Sequence, residues 1–126
     1  MNRAIKQVAS LLLEHDQILI LTHKNPDGDT LGSGFGLYYA LRQLGKQAYV
    51  ANSDSIPDKY LYMVPDDYTL DFEPSFVVSV DVADTALLGD ALAHYADSID
   101  LCVDHHASNS VGGVLYVCLL YTSRCV

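Results

Sequence analysis

Residues 17–30, Gln17-Ile18-Leu19-Ile20-Leu21-Thr22-His23-Lys24-Asn25-Pro26-Asp27-Gly28-Asp29-Thr30, carry the pattern on which the fold turns. The first six make a short, nearly continuous apolar run. Its length and aliphatic content predict a strand buried on both faces, as in a parallel sheet. The polar turn after it delivers an imidazole and two carboxylates to the strand's carboxyl end. Upstream, Ile5, Val8, Ala9, Leu12 and Leu13 keep i, i+3, i+4, i+7, i+8 spacing and predict a helix over 2–14, with Asn2 as its cap. Downstream, Leu37, Tyr38, Leu41 and Leu44 predict a second helix, stopped by Gly45.

The alternation continues along the chain. Residues 47–51 read as a second strand, and 52–74 as a polar, proline-punctuated stretch with a short helix over 59–64. Residues 76–80 make a third strand that ends at Asp81. Leu87, Leu88, Ala91, Leu92 and Tyr95 trace another amphipathic helix, and 99–103 a fourth strand running into Asp104-His105-His106. Strands alternating with helices predict right-handed βαβ units. The expected fold is α/β, a parallel sheet with helices on both faces in a Rossmann-like three-layer arrangement.

Composition excludes several classes. The chain has 126 residues, half of them apolar and 18% charged, enough for one domain with a real core and against disorder. No apolar run approaches the ~18 residues of a membrane span, and the first residues lack a signal-peptide core. Three Cys without a C-x-x-C pair argue against a disulfide framework or a zinc knuckle, so a reducing cytoplasm is expected. Seven basic against 16 acidic residues give a net charge of −9, which disfavours binding of long duplex nucleic acid. A phosphate substrate then needs positive charge from another source.

In open parallel sheets function collects beyond the carboxyl ends of strands. Three predicted strands end there in groups able to hold a metal: His23, Asp27 and Asp29; Asp81; and Asp104, His105 and His106. Mixed nitrogen and oxygen donors suit Mn²⁺, Zn²⁺ or Fe²⁺ better than Ca²⁺. With Asp81 as a bridge, the set could hold two ions ~3.5–4 Å apart, the spacing of two-metal phosphoryl hydrolysis. Each piece also has a plainer reading. Asn25-Pro26-Asp27-Gly28 is ordinary turn composition, Asp81 could cap the next helix, and an EF-hand fails because Tyr38 stands where a bidentate Glu is needed. Gly32, Gly34 and Gly36 do not form a dinucleotide fingerprint; small residues that let a helix approach the sheet explain them better. Tyr38, Tyr39, Tyr60 and Tyr62 read as core and rim, with base stacking as the other option. His15 and His94 read as surface residues, and Cys102 as a buried small hydrophobe.

Taken in order, Thr22-His23-Lys24-Asn25-Pro26-Asp27-Gly28-Asp29, Ser79-Val80-Asp81-Val82-Ala83-Asp84 and Val103-Asp104-His105-His106-Ala107-Ser108-Asn109 resemble the three N-terminal motifs of the DHH phosphoesterase superfamily. Within it the chain resembles the bacterial oligoribonuclease and 3′-phosphoadenosine 5′-phosphate phosphatase group, the nanoRNases. The resemblance implies a Mn²⁺-dependent phosphoesterase with two ions. The first ion would take His23, Asp27 and Asp81, and the second Asp29, Asp81 and His105. His106 would face the scissile phosphate, and Asp104 would orient the histidines. Substrates would be short RNA, cleaved as an exonuclease, or a small nucleotide. Sister families add cyclic dinucleotides and pyrophosphate as alternatives. An inactive metal-binding remnant is the reading from another class.

The family pattern also includes a fourth motif, whose Asp completes the second metal site, and a smaller substrate-binding domain. Neither is present in the sequence. Sixteen acidic residues lie in the first 104 positions and none in the last 22. The expectation is a catalytic domain over 1–117, followed by a tail over 118–126 foreign to the family and derived from a truncation or junction. The chain alone should then be weakly active or inactive, with a homodimer expected only of the full-length protein.

Overall fold

The computed structural model describes residues 2–66, 68–82, 84–104 and 114–117. The apolar run forms β1 (Ile18–Leu21), every residue of which is buried. It lies between β2 (Ala48–Ala51) and β3 (Phe76–Val80), parallel to both. β4 (Leu101–Asp104) pairs parallel with β3, and β5 (Val114–Val117) parallel with β4. β5 follows the four predicted strands, in the stretch whose plain sequence reading is a terminal strand. The sheet order is β2-β1-β3-β4-β5. Strand order therefore reverses between β1 and β3, and such a switch point opens a crevice beyond the carboxyl ends. Register sets Leu21 beside Ala51 on one side and Ser79 on the other, so the segments leaving β1 and β3 emerge together.

Two helices cover one face. α1 (Asn2–Glu14) and α2 (Gly28–Gln43) lay Leu11, Leu12, Leu31 and Phe35 against Ile18, Ile20 and Val78. Of the four α2 glycines, Gly34 is the one that admits a close approach. A Cβ there would stand 3.1 Å from Thr22 Cγ2 and 3.3 Å from Val50 Cγ1, whereas Gly32 and Gly36 face open space. Just past α2 the chain turns at Gly45 with φ 80°, as the sequence predicts. The end of α1 is also tied: Lys46 Nζ donates to the carbonyls of Leu13 (3.0 Å) and His15 (2.6 Å). Asp16 Oδ1 accepts the N–H groups of Gln17 and Gln47, both at 2.7 Å, so β1 and β2 start from one carboxylate. Those two bonds hold the Asp16 carboxyl below the usual aspartate range.

The other face corrects the sequence reading. A continuous helix over 87–95 is replaced by two short 3₁₀ turns, Thr85–Leu88 and Asp90–Tyr95. Gly89 separates them with φ 85°, a left-handed conformation that ends one turn before the next begins. The apolar spacing still does its packing work, since Leu88 and Leu92 are buried against Leu19, Leu21 and Val77. The short helix expected over 59–64 is present, as the 3₁₀ helix Asp58–Met63. His15 is a second correction: it is half-buried, stacks on Phe76 at 4.2 Å between centroids, and donates from Nδ1 to Leu11 O. His94 is exposed and Cys102 buried, as expected. Tyr38 joins the core, while Tyr62 is exposed. Among the described residues, no helix is long and apolar enough to cross a membrane.

Candidate metal centre

The polar turn after β1 is shorter than its composition suggests, because α2 begins inside it. Asp27 is the N-cap: its backbone is extended (φ −118°, ψ −176°) and Oδ1 accepts the Thr30 N–H at 3.0 Å. Asn25, two residues before it, has φ 51°. Asp29 falls in the first turn of the helix. The motif thus carries one carboxylate fixed by capping and a second on the helix itself.

His23 is oriented by its own neighbour. Nδ1 donates to the Lys24 carbonyl at 2.7 Å. A carbonyl can only accept, so the ring proton sits on Nδ1 and Nε2 presents a lone pair. That nitrogen lies 3.8 Å from Asp27 Oδ1 and 3.6 Å from Asp81 Oδ2. Asp81 reaches it from β3 because the chain leaves the strand with φ 59°, a left-handed conformation that costs a non-glycine residue about 1–2 kcal/mol. Its N–H donates to Val103 O at 2.9 Å, which anchors the turn. The cap of the following 3₁₀ turn is Asp84, which accepts the Ala86 N–H; the capping role considered for Asp81 falls there instead.

Both distances from Nε2 are too long for hydrogen bonds. Ligand atoms bound ~2.0–2.2 Å from one ion lie roughly 3–3.6 Å apart, so the gap is close to that of a filled site. Among the described residues, His23, Asp27 and Asp81 form a group whose donor atoms all lie within 4.8 Å of one another. One imidazole nitrogen and two carboxylate oxygens suit a divalent transition ion. The side chains of His23 and Asp81 are 18% and 10% exposed, against 60% for Asp27, so a ligand would enter from the Asp27 side. The group opens into a cleft of about 340 Å³, also lined by Lys24, Asn25, Asp29 and Leu87.

The other expected residues divide. Asp29 lines the cleft but stands outside the close triad. Asp104 ends β4, whose Val103 pairs with Val80 just before Asp81. His105 and His106 lie outside the described residues. The sequence reading missed the segment after β2, where Asn52 and Asp54 bind the loop that carries His23 and Ser53 Oγ donates to the Leu88 carbonyl. Their one signal was polar residues of the Asx type at the end of a strand.

Comparisons with known proteins agree with this architecture. Residues 17–122 match the family described as "DHH family, N-terminal domain". The chain is 35% identical over 107 residues to the bifunctional oligoribonuclease and PAP phosphatase NrnA of Thermus thermophilus. That alignment takes in 79% of this chain and 31% of the relative, so the chain spans about a third of its length. A crystal structure of an exopolyphosphatase-related protein from Bacteroides fragilis superposes with a TM-score of 0.76 at 22% identity, over 93% of this chain and 39% of that one. At that identity the likeness speaks to the fold. With the family match covering most of the sequence, the chain belongs to the DHH family, as an N-terminal domain.

Proposed function

We propose that the chain is the metal-binding catalytic part of a Mn²⁺-dependent phosphoesterase acting on short oligoribonucleotides, on 3′-phosphoadenosine 5′-phosphate, or on both. The observation that carries this reading is the meeting of His23 Nε2, Asp27 Oδ1 and Asp81 Oδ2 in a cleft at the β1/β3 switch point. The name of the Thermus relative supports the substrate class. In this reading His23, Asp27 and Asp81 hold one ion; Asp29, Asp81 and His105 hold a second. Bound divalent ions supply Lewis acidity, which activates water for attack and offsets charge on phosphoryl oxygens.

The chain's own groups set up the reaction around that chemistry. The Lys24 carbonyl keeps His23 in the ligating tautomer. The start of α2 lies at the cleft, where the positive end of the helix dipole favours an arriving phosphate. Lys24 lines the same cleft and adds positive charge beside three carboxylates. His106, by resemblance to the family, faces the scissile phosphate, and Asp104 orients the adjacent histidines. The cytoplasm is the proposed location, and homodimerisation is proposed for the longer protein.

The test is release of mononucleotide from a labelled dinucleotide by the purified chain with Mn²⁺, run beside 3′-phosphoadenosine 5′-phosphate, a cyclic dinucleotide and pyrophosphate. Turnover of the first two, slow in these 126 residues alone and lost in Asp81→Ala, is the expected result. Preference for a cyclic dinucleotide or pyrophosphate would replace the substrate assignment. Mn²⁺ binding without turnover of any of the four would favour an inactive metal-binding domain.

A further inference from the structure

We propose that Asn52 is a positioning residue for the metal centre, fixing the loop that carries His23 through its side-chain amide. The proposal rests on reading His23 as a metal ligand. Asn52 follows β2 and is half-buried beside the end of β1. Its Nδ2 donates to the His23 carbonyl at 2.7 Å and to Thr22 Oγ1 at 2.7 Å. Thr22 Oγ1 in turn donates to the Ala51 carbonyl at 2.7 Å, so its lone pairs are free to accept from the amide. Both amide hydrogens of one side chain are therefore spent on the two residues where β1 becomes the motif.

The other end of the amide reaches the far side of the same loop. Asn52 Oδ1 accepts the Asp54 N–H at 2.8 Å, which sets Asp54 so that its Oδ2 accepts the Asn25 N–H at 2.6 Å. Asn25 is the left-handed residue before the Pro26-Asp27 entry into α2. One side chain thus fixes the loop on both sides of Lys24, whose carbonyl takes the His23 ring proton. If Asn52 lets go, the His23 carbonyl and the Asn25 turn are released together. The ring then loses the geometry that points Nε2 at Asp27 and Asp81. Residues that orient a ligand from behind are worth on the order of 10- to 100-fold in metal affinity.

The test uses the 126-residue chain with Mn²⁺ alone, read by electron paramagnetic resonance of the free ion, and ¹⁵N imidazole shifts of the metal-free protein. Asn52→Asp keeps the shape and the bond to Asp54 but removes both donors. It should weaken Mn²⁺ binding on the order of 10-fold or more and move the His23 shifts toward a mixture of tautomers. Asp54→Ala should act the same way through Asn25, without touching the strand ends. Asp54→Asn keeps an acceptor for the Asn25 N–H and should restore near-native binding. Wild-type affinity and an unchanged His23 tautomer in Asn52→Asp overturn the proposal; if that variant does not fold, the same result in Asp54→Ala does so. His23→Ala, run in parallel, separates the two levels. Native affinity in His23→Ala removes the ligand reading itself, whereas loss there with none in the folded Asn52 and Asp54 variants removes only the positioning role.

Discussion

One proton on His23 decides what the site can bind. Because Nδ1 is committed to a backbone carbonyl, Nε2 is the nitrogen left to face Asp27 and Asp81. Asp81 is the residue most exposed to loss, since it comes from a different strand and is held there in a strained backbone conformation. Asp81→Ala should abolish tight Mn²⁺ binding, whereas His106→Ala, assigned to the phosphate by resemblance, should leave metal content near that of the native chain. Metal content after dialysis measures both, and equal loss would refute the division of roles. At this scale the sequence was legible where chemistry is unusual. An imidazole and carboxylates at strand ends stand out, and His23, Asp27 and Asp81 do meet in space. Asn52 was not legible, because a polar residue in a polar stretch carries no mark of the carbonyl it binds.

Among the elements, β2 shows how an edge is managed. It is the outer strand of the sheet beside β1, and its Val50 turns both backbone groups away from the ladder. The Tyr68 hydroxyl accepts the Val50 N–H and donates to the Val50 carbonyl, while the ring stacks on Tyr49 at 4.5 Å. An edge closed by a side chain is no template for another strand. Burial of the hydroxyl pushes its pKa up from the ordinary tyrosine value. A raised value means that the folded state holds the proton more tightly, so this contribution is complete at neutral pH. It fades as pH climbs past the unfolded value near ~10. Tyr68→Phe should cost about 1–2 kcal/mol at pH 7, the loss of a paired donor and acceptor, and should remove the alkaline fall due to this group. Denaturant melts at pH 7 and above the tyrosine range check both halves. The strands themselves were legible because β-branched and aliphatic runs need both faces covered. The helix expected over 87–95 was misread, since apolar spacing at 88 and 92 is the same for an α-helix and for two turns broken at Gly89.

For the molecule as a whole, the layered α/β plan followed from alternating patterns, but the order of the strands did not. Nothing local in residues 76–80 says that they lie beside β1 and not beyond β2. That crossing has a kinetic consequence. β1 meets β2 through one helix, but it meets β3 only after a long closure that carries the chain back across the sheet's centre, and such closures are slow to form. His23 and Asp81 hang from the two strands joined by that late event. In refolding from denaturant with Mn²⁺ present, ion capture should therefore lag behind the recovery of far-ultraviolet ellipticity. Stopped-flow traces of the two signals would show it, and coincident traces would mean that the central pairing is in place from the start. The site then acts as a clock hand for the sheet: it is set only when the last long-range pairing closes.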